Sequence, residues 1–254
     1  MLYGGGKYGI GTEEICSSLS SYRGRRKIGS QTIFKKRTDW SNFCAIIISV
    51  EQGIEFMGSA NKQATKENLI DVGVGLIRHS GYTATGINQI LEAAQIPKGS
   101  FYHHFATKDE FALAVIQRYT EGENERWKRV FNDPEASPLE NLRRYFKDLI
   151  ATYGLKSGPI TGCLLGNLSL EVAAQNPEIR AVLRQAFDGW QQAIADTLRR
   201  AIERQELSKN ANPDDLAAFL VNSWEGAQVR AKSEQNNEPL TLFLEFAFNV
   251  LLKS

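Results

Sequence analysis

The sequence contains few residues that could build thiol or metal chemistry. Its 254 residues include three cysteines, Cys16, Cys44 and Cys163, which are too scattered for a disulfide framework or a zinc site. An odd number of isolated cysteines is typical of the reducing cytoplasm, where we expect this protein. The formal net charge is only +1, so any attraction to nucleic acid must come from a local patch.

Long apolar runs are also missing, and no run approaches the ~18 residues of a membrane-spanning helix. Histidine is equally scarce, and His79, His103 and His104 all lie far along the chain from Cys163, which argues against a thiol enzyme. The adjacent His103 and His104 would point about 100° apart on a helix, an unsuitable arrangement for two metal ligands. We therefore expect no catalytic site, no metal, no cofactor and no membrane partner.

The first 56 residues differ from the rest of the chain. They combine glycines at 4–6, a serine cluster and scattered basic residues, and they show no sustained helical period. The apolar run at 44–50 is short, and no signal-peptide cleavage pattern follows it. We interpret residues 1–56 as a disordered or non-native extension with the true start at Met57. A basic arm that grips DNA is the alternative.

Residues 85–110 have the pattern of a helix-turn-helix unit. The first helix is predicted from a buried stripe after Thr85, which we take as its N-cap. A second helix is predicted to begin at Pro97, because proline suits the first helical position. Phe101 and Phe105 share one face of that helix and should pack inward. The outer face then offers groups that suit phosphates and base edges: Lys98, Ser100, Tyr102 and His103.

A capping box at 107–110 predicts the start of a further helix directly after this unit. Residues 65–119, above all the run PKGSFYHHFATKDEF, resemble the N-terminal domain of the TetR family of bacterial repressors. The resemblance implies an all-α, TetR-like fold, in which a three-helix DNA-binding domain (62–120, motif about 86–105) precedes a helical sensor and dimerisation domain (121–254). It also implies double-stranded operator DNA as a partner. The predicted DNA contacts are Thr85, Lys98, Gly99, Ser100, Tyr102, His103 and Lys108.

The sequence after residue 120 has helical periodicity and no alternating strand pattern. Breaks at 133–138, 154–159, 176–177 and 212–213 divide it into about five helices. In the TetR family this domain holds the effector pocket, and its last two helices pair with a second copy. We therefore expect a homodimer that reads two half-sites in successive major grooves.

Cys163 follows a turn with glycines at 158 and 162, so it should fall in the first turn of a new helix. Free N–H groups and the helix dipole stabilise a thiolate there, which predicts a lowered pKa and a reactive thiol. A small buried structural cysteine is the alternative.

The run GPITGCLLGNLSLEVAAQNPEIR resembles an electrophile- and oxidant-responsive subgroup of the TetR family. There the matching cysteine senses reactive chlorine species, quinones and aldehydes, and a matching lysine can form a reversible sulfenamide bond with it. The resemblance implies Cys163 as the sensor and Lys232 as its partner. A further cysteine of that subgroup is Ala173 here, so we expect no disulfide relay within this domain.

The sequence thus predicts a transcriptional repressor, not an enzyme, that leaves its operator when a small reactive electrophile or oxidant modifies Cys163. A repressor induced by non-covalent binding of a small molecule in the C-terminal pocket is the alternative. A helical enzyme or adaptor without DNA binding is a third hypothesis, which operator binding would exclude.

Overall fold

The computed structural model describes residues 62–131, 135–154 and 158–253, so the interpretation of residues 1–56 and of Met57 lies outside the described residues. The described residues are all-α, which confirms the predicted fold class. None of their helices is long and apolar enough to cross a membrane. In chain order the helices are α1 (62–80), α2 (Ile87–Ala93), α3 (Lys108–Val130), α4 (Pro138–Tyr153), α5 (Leu164–Glu171), α6 (Pro177–Glu203), α7 (Pro213–Glu234) and α8 (Glu238–Phe246).

Side-chain caps explain where several of these helices begin. In four of them an oxygen of the N-cap residue accepts a backbone N–H of the first turn, and these caps are Thr107, Ser137, Asn176 and Asn212. Proline follows each of the last three caps at a position where its missing N–H needs no partner. The breaks predicted at 176–177 and 212–213 are therefore confirmed.

The N-terminal core forms where α1 packs against α3. Leu69, Ile77, Phe111 and Ile116 are all fully buried there. The two helices approach closely at Gly73, because a Cβ at this position would lie 2.3 Å from Phe111 Cζ. A glycine is thus required to seat the Phe111 ring under α1.

The C-terminal core lies among α4, α6, α7 and α8. Its centre is an aromatic cluster in which the Phe146 ring lies 5.1 Å from Trp224 and 4.9 Å from Phe243. Such edge and tilted ring contacts contribute beyond simple area burial. After Phe246 the last helix widens into a π-helical turn, Ala247–Leu251.

Helix α5 belongs to the N-terminal core although it lies in the sensor half of the sequence. Leu164, Leu165 and Leu168 pack in the same buried cluster as Phe111 and Ile116 of α3. Helix α5 is therefore packed directly against α3 in the N-terminal core.

Candidate DNA-binding surface and sensor site

The helix predicted to read DNA is shorter in the structure than the sequence predicts. Residues 97–105, the recognition turn, contain only a single 3-10 turn at Phe101–His103. The predicted bounds of the helix that was to begin at Pro97 are therefore wrong. The physical reason is Gly99, whose φ of +93° is incompatible with a right-handed helix. Ser100 N–H instead donates to Pro97 O at 3.2 Å and closes a turn.

The buried and exposed sides of the recognition turn agree with the sequence pattern. Phe101 and Phe105 are buried, with ring centroids 5.3 and 5.1 Å from that of Phe111. Tyr102 is 64% exposed, and Lys98, Gly99 and His103 are exposed as well. Ser100 is half-buried. The aromatic core thus holds the backbone while the polar side chains face outward.

Lys108 stands at the start of α3 beside the capping box. Its Nζ donates to Tyr82 O at 2.6 Å and lies 4.3 Å from the centre of the Tyr82 ring. Burial lowers the pKa of Lys108, an effect that the charges of Glu171 and Asp109 oppose. Tyr82 in turn donates to Asp109. Lys108 therefore braces the loop between α1 and α2 as well as carrying charge near the recognition turn.

Thr85 does not have the position that the sequence predicted. Its side chain is fully buried, and its hydroxyl donates to Gly81 O at 2.6 Å. The N-cap of α2 is Gly86. The predicted phosphate contact and the predicted cap are both contradicted, because the hydroxyl is used to hold the end of α1.

Two lysines of α1 extend the basic surface, and the sequence analysis missed them. Lys66 Nζ lies 5.2 Å from the centre of the Phe105 ring. Burial lowers the pKa of His104, and the charges of Lys62, His103 and Lys66 lower it further. The four-residue spacing of Lys62 and Lys66 was the available signal, since it places both on one helical face. Within the described ranges, no cluster of His, Cys, Asp and Glu is placed to hold a metal ion.

Cys163 is the N-cap residue of α5, so the predicted position at a helix start is confirmed. The predicted reactivity of the unmodified thiol is not confirmed. Burial raises the pKa of Cys163 well above its usual range, and the charge of Glu225 raises this pKa further. The N–H groups of Gly166 and Leu165 favour the thiolate, but their effect is smaller. Desolvation outweighs the helix end here, and the prediction of a lowered thiol pKa is wrong.

Glu225 of α7 is the acidic neighbour of this thiol. Its carboxyl group and the Cys163 side chain both lie beside Gly166, and burial raises the pKa of Glu225 to about 7. Gly166 makes room for it, since a Cβ there would lie 2.4 Å from Glu225 Oε2 and 3.7 Å from Cys163 Cβ. Glu225 Oε1 is buried and has no hydrogen-bond partner among the residues that the structure describes. Glu225 could not be predicted from the local pattern, because 62 positions separate it from Cys163.

Lys232 lies two turns beyond Glu225 on α7, beside the turn that precedes Cys163. Its Cδ is 3.4 Å from the place that a Cβ of Gly162 would occupy. Its exposed ammonium donates to Asn167 Oδ1 at 3.0 Å. The fold therefore brings the two residues of the predicted sensor pair into one neighbourhood, with the Lys232 ammonium bonded to Asn167.

The turn before Cys163 and helix α5 also contact the DNA-binding domain through polar groups. Arg78 Nε of α1 donates to Gly162 O at 3.1 Å, and Asn167 Nδ2 donates to Arg78 O at 3.3 Å. Farther along α5, Glu171 Oε2 accepts the Thr83 N–H at 2.9 Å. These contacts join both ends of α5 to α1 and to the loop that precedes α2.

A cavity of about 810 Å³ lies beside this site, within the size range of small-molecule pockets. Helices α3, α4, α6 and α7 and the start of α5 line it, and Cys163 contributes to its wall. Its walls carry the aromatic side chains Tyr119, Trp127, Tyr145, Trp190 and Trp224. The Tyr119 hydroxyl is 3.9 Å from Cys163 Sγ.

Several polar groups of the cavity wall have no protein partner. Tyr145 is 2% exposed and Gln228 is 5% exposed, yet neither side chain makes a hydrogen bond within the described part of the chain. The buried Trp190 Nε1 is also unpaired. Buried polar groups are normally satisfied, so these groups indicate a site for a small molecule or for water.

The outer side of α7 and α8 presents a second apolar feature, which we call the apolar face. Phe219, Leu242, Phe246 and Val250 are each 57–62% exposed there. They line a groove of about 490 Å³ between the two helices. Contiguous exposed apolar surface of this kind is typical of protein–protein contacts.

Known protein families match both the N-terminal and the C-terminal part of the chain. Residues 69–115 match the family described as bacterial regulatory proteins, tetR family, and residues 138–247 match the tetracyclin repressor-like C-terminal domain. The chain is 32% identical over 189 residues to the HTH-type transcriptional repressor DhaR of Mycobacterium sp. (strain GP1), covering 74% of this chain and 93% of DhaR. It is 36% identical over 189 residues to the transcriptional regulator AcuR of Cereibacter sphaeroides, covering 73% and 84%.

A solved structure gives the same fold. The reduced form of Escherichia coli NemR superposes with a TM-score of 0.67 at 28% identity, covering 74% of this chain and 96% of that one. DhaR and AcuR are more similar to the chain in sequence than NemR is. These relatives are transcriptional regulators, which confirms the prediction that the protein is not an enzyme. The chain belongs to the TetR family of bacterial transcriptional regulators.

Proposed function

We propose that this protein is a cytoplasmic, homodimeric repressor that leaves its operator when a small electrophile or oxidant modifies Cys163. One observation carries the proposal: Cys163 lines the large cavity and also begins α5, whose leucines pack in the core of the DNA-binding domain. A chemical change at this sulfur therefore acts on a helix that both domains share.

The operator is read by the recognition turn of each protomer. Lys98, Gly99, Ser100, Tyr102 and His103 approach the major groove, and Lys108 approaches a flanking phosphate. One short element reads too few bases, so two copies are needed. The apolar face of α7 and α8 supplies the surface through which they associate.

Release follows from the packing around the thiol. Cys163 is 6% exposed in the cavity wall, so a group added to Sγ enters the cavity, and we expect it to displace side chains that pack around the start of α5. The displacement shifts α5 against Arg78 and Thr83, which alters the distance between the two recognition turns. Base contacts contribute roughly 1–3 kcal/mol each, so the loss of a few of them releases the operator. Hypochlorite oxidises the thiol to a sulfenic acid. The Lys232 side chain, after losing a proton, then attacks the sulfur, the S–O bond breaks, water leaves, and a reversible S–N bond protects the sulfur.

The test is operator binding by the purified protein before and after treatment with hypochlorite or 1,4-benzoquinone. We expect both reagents to release the DNA, and a thiol reductant to restore binding after hypochlorite. The matched variant Cys163→Ser should bind the operator normally and stay bound under both reagents. Release of this variant would contradict the thiol switch.

Non-covalent induction remains a second candidate because a specific observation favours it. The side chains of Tyr145 and Gln228 line the cavity and make no hydrogen bond within the described residues, as groups of a site for a reversible ligand would. In that case Cys163→Ser would keep full induction, whereas Tyr145→Phe and Gln228→Leu would weaken it.

A further inference from the structure

The surroundings of Cys163 raise a chemical question, because a protonated thiol is a weak nucleophile. The thiol stands between the cavity and the Glu225 carboxyl group, which reaches it past Gly166. Glu225 Oε2 is on the Gly166 side, and Oε1 is buried with no partner in the described part of the chain. A carboxylate so placed is poised to accept a proton from the sulfur.

We propose that Glu225 takes the proton of Cys163 as an α,β-unsaturated carbonyl compound in the cavity adds to the sulfur. This inference rests on the proposed function and adds the proton acceptor and the class of electrophile. It makes Cys163 and Glu225 a working pair on different helices.

The walls of the cavity favour a carbonyl compound. The unpaired Tyr145 hydroxyl and Gln228 amide supply hydrogen-bond donors for its oxygen. The aromatic walls suit a flat conjugated molecule. A donor on the carbonyl oxygen also stabilises the negative charge that develops there during addition.

The step balances without a co-reactant. The S–H electrons of Cys163 form the new S–C bond to the β-carbon, and the proton moves to the Glu225 carboxylate. The C=C electrons shift to give an enolate. The enolate then takes the proton back from the Glu225 carboxylic acid at its α-carbon, which leaves a thioether and restores the carboxylate.

Other groups near the sulfur cannot fill this role. Tyr119 approaches from α3 as a neutral phenol, because burial raises the pKa of its hydroxyl well above the usual range. Glu123 of the same helix is occupied, since Oε1 accepts from Tyr153 at 2.6 Å and Oε2 accepts from Arg126 at 3.1 Å. Lys232 is a cation bonded to Asn167. Glu225, with a pKa of about 7, is available as a base at neutral pH.

The experiment measures the rate at which methyl vinyl ketone modifies Cys163, followed by peptide mass spectrometry of the full chain. We expect Glu225→Gln to slow this addition by about 100-fold at pH 7.5, the range typical of a lost general base. The wild-type rate should level off above about pH 7, whereas the Glu225→Gln rate should keep rising about tenfold per pH unit because only the ionised thiol reacts. Operator affinity without the reagent should not change.

Two further variants test whether the rate of addition depends on the position of the Glu225 carboxylate or on any negative charge of α7. Gly166→Ala keeps both reacting groups but places a Cβ 2.4 Å from the present site of Glu225 Oε2, so it should also slow addition by at least tenfold. Glu234→Gln, on the same helix in an exposed pair with Arg230, should react like the wild type.

An opposite result would overturn the inference. If Glu225 only repels the thiolate, Glu225→Gln lowers the pKa of Cys163 and reacts as fast as the wild type or faster. That outcome leaves the sensor role of Cys163 intact. A wild-type protein whose Cys163 takes no adduct would overturn the proposed function together with the role of Glu225.

Discussion

Tyr102 combines a large exposed side chain with a rigid support. The side chain is 64% exposed, while its ring meets the buried Phe101 ring edge-on at 5.6 Å. We predict that Tyr102→Ala weakens operator affinity by roughly 5- to 150-fold, equivalent to about 1–3 kcal/mol for one base contact. The melting temperature should stay near that of the wild type, because little buried surface is lost. Fluorescence anisotropy with operator and unrelated DNA measures both effects, and unchanged operator affinity would contradict the proposed reading surface.

Glu225 also makes stability depend on pH in a defined direction. Its folded pKa of about 7 lies above the ordinary value of 4.5, so between these pH values the folded state holds a proton that the unfolded state releases. The associated stability is fully present below pH 4.5 and is lost as pH rises through about 7.

We predict that Glu225→Gln removes this loss. From pH 5 to pH 8 the wild type should lose up to about 3 kcal/mol of unfolding free energy relative to the variant. Urea unfolding of both proteins at several pH values measures the difference. The shifted His104 is common to both proteins and cancels in the comparison. A pH-independent difference would mean that Glu225 has an ordinary pKa in the folded protein.

The sequence alone could predict which residues of the recognition turn are buried, because Phe101 and Phe105 follow a local period. It could not predict the chemistry of Cys163. The helix start is a local feature and was found, but the pKa of the thiol depends on burial and on Glu225, which arrives from a distant helix. The predicted role of Thr85 was wrong for a similar reason, since its hydroxyl donates to a carbonyl at the end of the preceding helix.

At the scale of the secondary-structure elements, the proposed function couples the two domains through a few contacts of α5. Arg78 donates to Gly162 O at 3.1 Å, and its guanidinium lies 3.7 Å from the centre of the Tyr153 ring. We predict that Arg78→Ala leaves operator affinity within about threefold of wild type but reduces the effect of Cys163 modification. The ratio of operator affinities before and after modification should fall several-fold toward one.

Operator titrations with reduced and quinone-treated protein give this ratio. Arg180→Ala is a suitable control, because Arg180 of α6 donates to Ala173 O and has no hydrogen bond or ion pair with α1 within the described residues. If Arg78→Ala shows the same ratio as the wild type, the coupling runs through the leucine packing of α5 instead.

The helix bounds also show what local sequence determines. The starts of α6 and α7 were predicted because Asn-Pro pairs act within a few residues. In the recognition turn the predicted helix is too long, because the neighbours of Gly99 do not reveal its left-handed conformation. Pro97 permits a helix start and Gly99 permits a turn. The tertiary packing of the phenylalanines selects the turn.

At the scale of the whole molecule, the apolar face should control association. We predict that Phe246→Asp raises the dimer dissociation constant by at least about 100-fold, because a charge would be buried without a partner. Sedimentation velocity measures this change, and operator affinity should fall with it. Leu170→Asp is the matched control, since Leu170 is 79% exposed on α5 and lies outside the groove. A Phe246→Asp protein that stays dimeric would place the subunit contact elsewhere.

The π-helical turn at Ala247–Leu251 has a consequence for helical phase. Leu242, Phe246 and Val250 follow each other at intervals of four residues, which overshoot one turn of an α-helix. A continuous α-helix would therefore wind this row around its axis and carry Val250 toward the side of the apolar face. In the π turn Leu252 N–H bonds to Ala247 O, five residues back, so four residues fall short of one revolution. Overshoot and undershoot largely cancel, so Val250 returns to nearly the same side of the helix as Leu242 and stays on the apolar face.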